Sequence, residues 1–207
     1  MVVPSMAPIF RLPVELRYEI YRCLCRDEFI CYPFCNSPIT AINLEAPPRQ
    51  LLLTCHQIYD EVRTYYYGTA TFRLASIGTS QIKREDISAG TLIALGEARK
   101  VELMLMWNMN GNRKKRGPSS WPWWMNGWLE EQVALLRDVA HKLEVVAIAV
   151  RDASHYRDWE QKKPMLEPLQ LLKGKIQFAV TEVIAADDIE ENLRQDIEGY
   201  VRELNSS

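Results

Sequence analysis

Leu143-Glu144-Val145-Val146-Ala147-Ile148-Ala149-Val150 decides the fold. From Val145 to Val150 every residue is apolar and most are β-branched, which favours an extended strand. A run with no polar alternation predicts a strand covered on both faces, as in a parallel sheet flanked by helices. The stretch before it, Trp128 to Lys142, repeats Leu129, Val133, Leu136 and Ala140 at helical spacing, so an amphipathic helix feeds the strand.

The same helix-then-strand unit recurs on both sides. Upstream, Asp86 caps a helix running to Ala98 that leads into the strand Lys100-Val101-Glu102-Leu103-Met104-Leu105-Met106-Trp107. Downstream, a shorter helix from Pro164 or Glu167 to Lys173 precedes a strand from Lys175 to Ile184. Parallel strands need a crossover to return the chain to its starting end, and helices are the usual crossover, so the alternation predicts a mostly parallel open sheet. The strands recur every ~35 to 45 residues without an L-x-x-L-x-L register, which makes the sheet leucine-rich-repeat-like in layout but not a leucine-rich repeat. Asp187 to Leu204 reads as a last amphipathic helix, capped by Asp187 or Asp188, with Ile189, Leu193, Ile197, Tyr200, Val201 and Leu204 in line.

Toward the N-terminus the pattern changes. Pro13 suits a first helical turn, and Leu16, Ile20, Cys23 and Leu24 then fall on one face of a helix over about residues 13 to 25. Residues 26 to 48 read as an irregular connection with a short strand from Ile39 to Leu44. A second helix spans about Arg49 to Tyr67, with Leu51, Cys55, Ile58, Val62, Tyr65 and Tyr66 on its apolar face and Gly68 as its stop. Thr69 to Ile77 follows as a strand.

Bulk properties bound the functional classes. The 207 residues are 47% hydrophobic and 25% charged, the composition of one ordered domain. The 25 basic residues against 27 acidic ones give a formal charge of -2, too little for a global attraction to nucleic acid or anionic membrane. No apolar run approaches the ~20 residues that span a bilayer. The first eight residues lack a basic segment followed by an apolar one, so no secretory signal is expected and the protein is placed in the cytoplasm or nucleus. The five cysteines, all within the first 55 residues, are expected as free thiols.

Few residues suggest chemistry. Cys31 and Cys35 have a spacing that zinc sites use, but Cys23 and Cys55 fall on apolar helix faces, where cysteine acts as a small hydrophobe. His56, Asp60 and Glu61 share one helical turn, yet only His141 and His155 remain elsewhere, and a salt-bridging surface explains the trio better than a triad. Phosphate-binding, nucleophile-elbow and zinc-protease motifs are missing from the sequence. No catalytic residue, cofactor or metal is assigned. The most unusual segment is the loop from Asn108 to Gly127, where Arg113, Lys114, Lys115 and Arg116 stand beside Trp121, Trp123 and Trp124. Such a loop suits a protein-binding hot spot or an import signal. A solvated charge run followed by tryptophans packed over the sheet edge, or a stacking surface for single-stranded nucleic acid, also fits.

Phe10-Arg11-Leu12-Pro13-Val14-Glu15-Leu16-Arg17-Tyr18-Glu19-Ile20-Tyr21 resembles the opening of a large fungal F-box-like family with an L-P-x-E-[LI]-R-x-x-I-[YW] signature. Leu51-Leu52-Leu53-Thr54-Cys55-His56-Gln57-Ile58-Tyr59-Asp60-Glu61 looks like its second motif, and Tyr66-Tyr67-Gly68-Thr69-Ala70-Thr71-Phe72 like its turn into a strand. The resemblance covers residues 10 to 74. It implies F-box-like helices packed on the α/β part from 75 to 184, with the helix from 187 to 204 closing a single domain. It also implies a non-enzymatic substrate adaptor of a cullin-type ubiquitin ligase, in which Leu12, Pro13, Leu16 and Ile20 face the linker subunit. A fungal scaffold or regulatory protein without ubiquitin chemistry is the alternative. The helical stripe of Leu16, Ile20 and Leu24 is equally readable as core packed on the second helix.

Overall fold

The computed structural model describes residues 8–76, 82–107, 123–153, 159–185 and 189–206, with the side chains of 123–126 and 161 left aside. A six-stranded sheet in sequential order organises them: β1 (Ile30–Cys31), β2 (Ile39–Ile42), β3 (Thr71–Ala75), β4 (Lys100–Trp107), β5 (Val145–Asp152) and β6 (Gln177–Ile184). The first three strands pair antiparallel and the last four parallel. The outermost strands do not meet, so the sheet is open.

The helices are α1 (Val14–Leu24), α2 (Arg49–Leu52), α3 (His56–Thr69), α4 (Ala89–Glu97), α5 (Trp123–Val139), α6 (Trp159–Lys162) and α7 (Glu190–Asn205). The expected helix before β6 is the short α6 followed by a 3-10 helix from Lys163 to Leu172, with Pro168 inside it. Proline removes a backbone donor and disfavours α geometry in the residue before it, so a regular α-helix cannot run through this stretch.

Parallel neighbours linked in sequence by crossovers of one hand carry their helices on one face. That face holds the main core: the row Leu74, Leu103, Ile148 and Val180 crosses four strands in register, under Leu95 of α4, Leu129 and Leu136 of α5, Leu166 and Leu169 of the 3-10 helix, and Leu193 and Ile197 of α7. Each such side chain, when fully buried, contributes about 1.5–3 kcal/mol.

β5 is buried on both faces from Val146 to Val150, as expected, but among the described residues helices cover only one of them. On the opposite face, among the described residues, only Ala75, Met104, Ala149 and the half-buried Met106 cluster. There Ala147 lies beneath a polar bridge instead of a helix: Thr181 donates to Glu102 at 2.7 Å across β5, and Glu102 pairs with Arg73. Val145, Ala147, Ala149 and Arg151 of β5 face this side, and both alanines are buried there, Ala149 completely.

Other boundaries shift for local reasons. Ser88, not Asp86, caps α4, accepting from Thr91 N–H at 3.3 Å, because Asp86 belongs to a separate 3-10 turn. The single helix expected from Arg49 to Tyr67 is two, since Cys55 is fully extended (φ -164°, ψ 164°) between α2 and α3. Gly68 does not stop α3, which runs through Thr69 to an extended Ala70. The antiparallel strand β1 is too short, at two residues, to leave a sequence pattern. Asp187 and Asp188, expected as caps of the last helix, lie outside the described residues.

α3 joins the two parts of the molecule. Ile58 and Val62 on one side pack on Tyr21 of α1, while Tyr66, edge-on to Phe72, enters the main core. Among the described residues no helix is long and apolar enough to cross a membrane.

Candidate functional site

α1 faces the opposite way from an ordinary amphipathic helix. Its buried positions are Arg17 and Tyr21, followed by Cys25 just beyond its end. The neighbouring stripe, offset by one residue and so rotated by about 100°, is left in the open: Leu16 is 52% exposed, Ile20 39% and Leu24 42%. Leu12, 36% exposed, precedes Pro13, which stands immediately before the first helical residue. The reading of this stripe as internal core is thereby overturned.

A polar clamp fixes that orientation. Arg17 donates Nε and Nη2 to the two carboxylate oxygens of Glu61 at 2.7 Å each, and its Nη1 to the carbonyl of Leu12. Tyr21 donates its hydroxyl to Glu61 at 3.0 Å, and Gln57, one turn back on α3, donates at 3.0 Å. A forked guanidinium on a carboxylate has one geometry, so it sets the roll of α1 on α3 in a way that apolar contact alone does not. Phe10 lies against the Arg17 guanidinium, and Tyr18 packs on Tyr65 with ring centroids 5.5 Å apart.

The electrostatics follow from this contact. Arg17 holds the Glu61 carboxyl below its usual range, and the same bond raises the guanidinium further. Burial, then the hydrogen bond to Glu61, pushes the Tyr21 hydroxyl up to about 12. The trio His56, Asp60 and Glu61 is thus divided: His56 and Asp60 are exposed, while Glu61 is the anchor of the clamp. Sequence reasoning took Glu61 as a salt-bridging group, which it is, and missed its partners Arg17 and Tyr21. Their signal was an arginine and a tyrosine one helical turn apart, forming a second stripe beside the leucines.

Beyond α1, the break between α2 and α3 opens a cavity of about 490 Å³ lined by Arg49, Leu52, Leu53, Cys55, His56 and Tyr59. Cys23 and Cys55, expected in the core, are exposed, as are Cys31 and Cys35. Cys25 instead enters the core beside the sheet, and burial pushes its thiol up. Among the described residues no three His, Cys, Asp or Glu side chains form a metal-holding group. Of the basic tryptophan-rich loop, Arg113, Lys114, Lys115, Arg116 and Trp121 lie outside the described residues. Trp123 and Trp124 open α5.

In open α/β sheets, ligands usually sit beyond the carboxyl ends of parallel strands. Here Trp107 and Asp152, paired in register at those ends of β4 and β5, are buried. Lys162 reaches Asp152 at 2.5 Å and lies 5.6 Å from the centre of the Trp107 ring. No family model, curated protein or solved structure matches the chain.

Proposed function

We propose that the protein is a non-enzymatic docking module, and that α1 with the turn before it is the surface that meets the linker subunit of a cullin-type ubiquitin ligase. One observation carries this reading: an amphipathic helix keeps its arginine and tyrosine inside and leaves Leu16, Ile20 and Leu24 outside, with Leu12 exposed just before it. Orienting a helix so costs burial of its apolar stripe, a cost that a partner covering that stripe returns. The two sequence signatures support the same reading, because Arg17 of the first and Glu61 of the second make the clamp between them. On this reading the leucine-rich-repeat-like succession of parallel strands with helices on one face forms the part that carries a substrate. It is supported by the order β3-β4-β5-β6.

The test is direct binding of the purified chain to purified linker subunit, measured by calorimetry. The wild type is expected to bind at micromolar concentration or tighter. The double variant Leu16→Asp, Ile20→Asp should abolish binding while keeping the circular dichroism and melting temperature of the parent. No binding by the wild type, or binding unaffected by the two aspartates, overturns the proposal and leaves a scaffold without ligase chemistry as the better reading.

A further inference from the structure

β6 is an edge strand of eight residues, and an unpaired edge of that length is a template for another strand. α7 does more than cover the face of the sheet beside it. Asn205, its last residue, accepts from Phe178 N–H at 2.8 Å and donates to Phe178 C=O at 2.9 Å, the two bonds that the peptide groups of a neighbouring strand would make. At the other end Arg194 donates to the carbonyl of Val183 at 3.2 Å, and Glu190 accepts from Ala185 N–H at 3.2 Å.

The lengths agree. Arg194 to Asn205 covers about 16 Å of helix, and Phe178 to Val183 about 16 Å of strand, so a helix antiparallel to β6 reaches both places at once. Between them, no described side chain braces the Val180 backbone, and Thr181, at the irregularity in the β5–β6 register, turns its hydroxyl to Glu102.

We propose that α7 is a guard on the β6 edge, with Asn205 standing in for a neighbouring strand. When the guard is removed, the edge pairs with the β6 edge of a second copy of this chain. The occupant follows from self-complementarity: antiparallel pairing about Val180 and Thr181 brings Phe178 opposite Val183 and Ala179 opposite Glu182. Glu182, the only charged residue of β6, therefore never faces its own copy. It is already neutralised by Arg151, 3.1 Å away.

The experiment is sedimentation velocity of the full chain carrying Asn205→Ala and Arg194→Ala, across a concentration series beside the wild type. The expected result is a concentration-dependent doubling of mass in the variant under conditions where the wild type stays single. Val180→Pro added to the variant should abolish the doubling: by alternation from Phe178 the Val180 N–H points away from β5, and proline at that position removes a donor that an added strand needs. A folded variant that remains single, or a dimer that survives Val180→Pro, overturns the proposal. Where the double variant fails to fold, Asn205→Ala and Arg194→Ala taken singly carry the same two outcomes, each having released one end of the guard.

Discussion

The α1–α3 pair and the α/β part solve opposite packing problems with the same residue types. In the α/β part apolar side chains converge inward, and the row from Leu74 to Val180 is roofed by four helical segments. In the helical pair the contact centres on a charged pair and three tyrosines, and the leucines face out. Apolar burial sets how strongly a region is held, whereas the forked Arg17–Glu61 contact sets how one helix is turned on another. The difference teaches that α1 is held for orientation and the sheet for stability.

The strongest break of that comparison is a cavity beneath the helices. Ile148→Ala, at a fully buried position in the middle of β5, should destabilise the protein by about 2–5 kcal/mol in a denaturant titration. A loss below about 1 kcal/mol would mean that the row through Ile148 does not hold the core.

A smaller and more local effect is expected from the clamp. Glu61→Leu leaves the Arg17 guanidinium without its carboxylate, so α1 amides should lose hydrogen-exchange protection while those of β4 and β5 keep theirs. Equal loss in both regions would show that the clamp holds the whole fold and not the roll of one helix. Arg17→Met combined with Glu61→Leu should be less harmful than the two losses added together, because neither charge is then left alone.

The titration of this clamp gives the next effect in size. Glu61 has a folded pKa below its ordinary value, so its contribution is complete above about 4.5 and is lost as pH falls through the lowered value. Tyr21 has a raised folded pKa, so its contribution is complete below about 10 and is lost as pH rises toward about 12. Tyr66, pushed by burial up to about 12, loses its contribution over the same alkaline window, but from inside the sheet core. Far-ultraviolet dichroism of the wild type and Tyr21→Phe through that window separates the two: Tyr21→Phe should remove the part of the change that comes from α1 and leave the part that comes from the sheet core.

Much of this architecture was legible in the sequence because it is written in periodicity. β4 runs from Lys100 to Trp107 as expected, and α7 buries the stripe Leu193, Ile197, Tyr200, Val201 and Leu204. Periodicity was silent where two answers share one pattern. Leu16, Ile20 and Leu24 recur at helical spacing whether they face a core or solvent, and only the partner of Arg17, forty-four residues away, decides which. The apolar spacing of Leu51, Cys55 and Ile58 continues across a break that the backbone makes at Cys55. The apolar run of β5 marks a strand buried on both faces but not which face the helices take, because Ala147 and Ala149 are small enough to be hidden by their neighbours in the sheet. The edge brace of Asn205 was invisible for the same reason: a polar residue at a helix end reads as a terminus until the strand beside it is known.

The smallest predicted effect sharpens the comparison most. Leu16→Ala with Ile20→Ala removes more apolar atoms than Ile148→Ala does, yet Leu16 is 52% and Ile20 39% exposed, so the transfer energy at stake is a fraction of the buried value. No closed cavity forms, because both positions open to solvent. The pair should therefore cost less than about 1 kcal/mol in the same titration. If it costs as much as Ile148→Ala, the stripe is packed in solution, and the outward orientation of α1 on which the docking proposal rests is wrong. If the cost is small, these leucine and isoleucine positions contribute little to the fold of the isolated chain, and their apolar character is left to be used by whatever binds them.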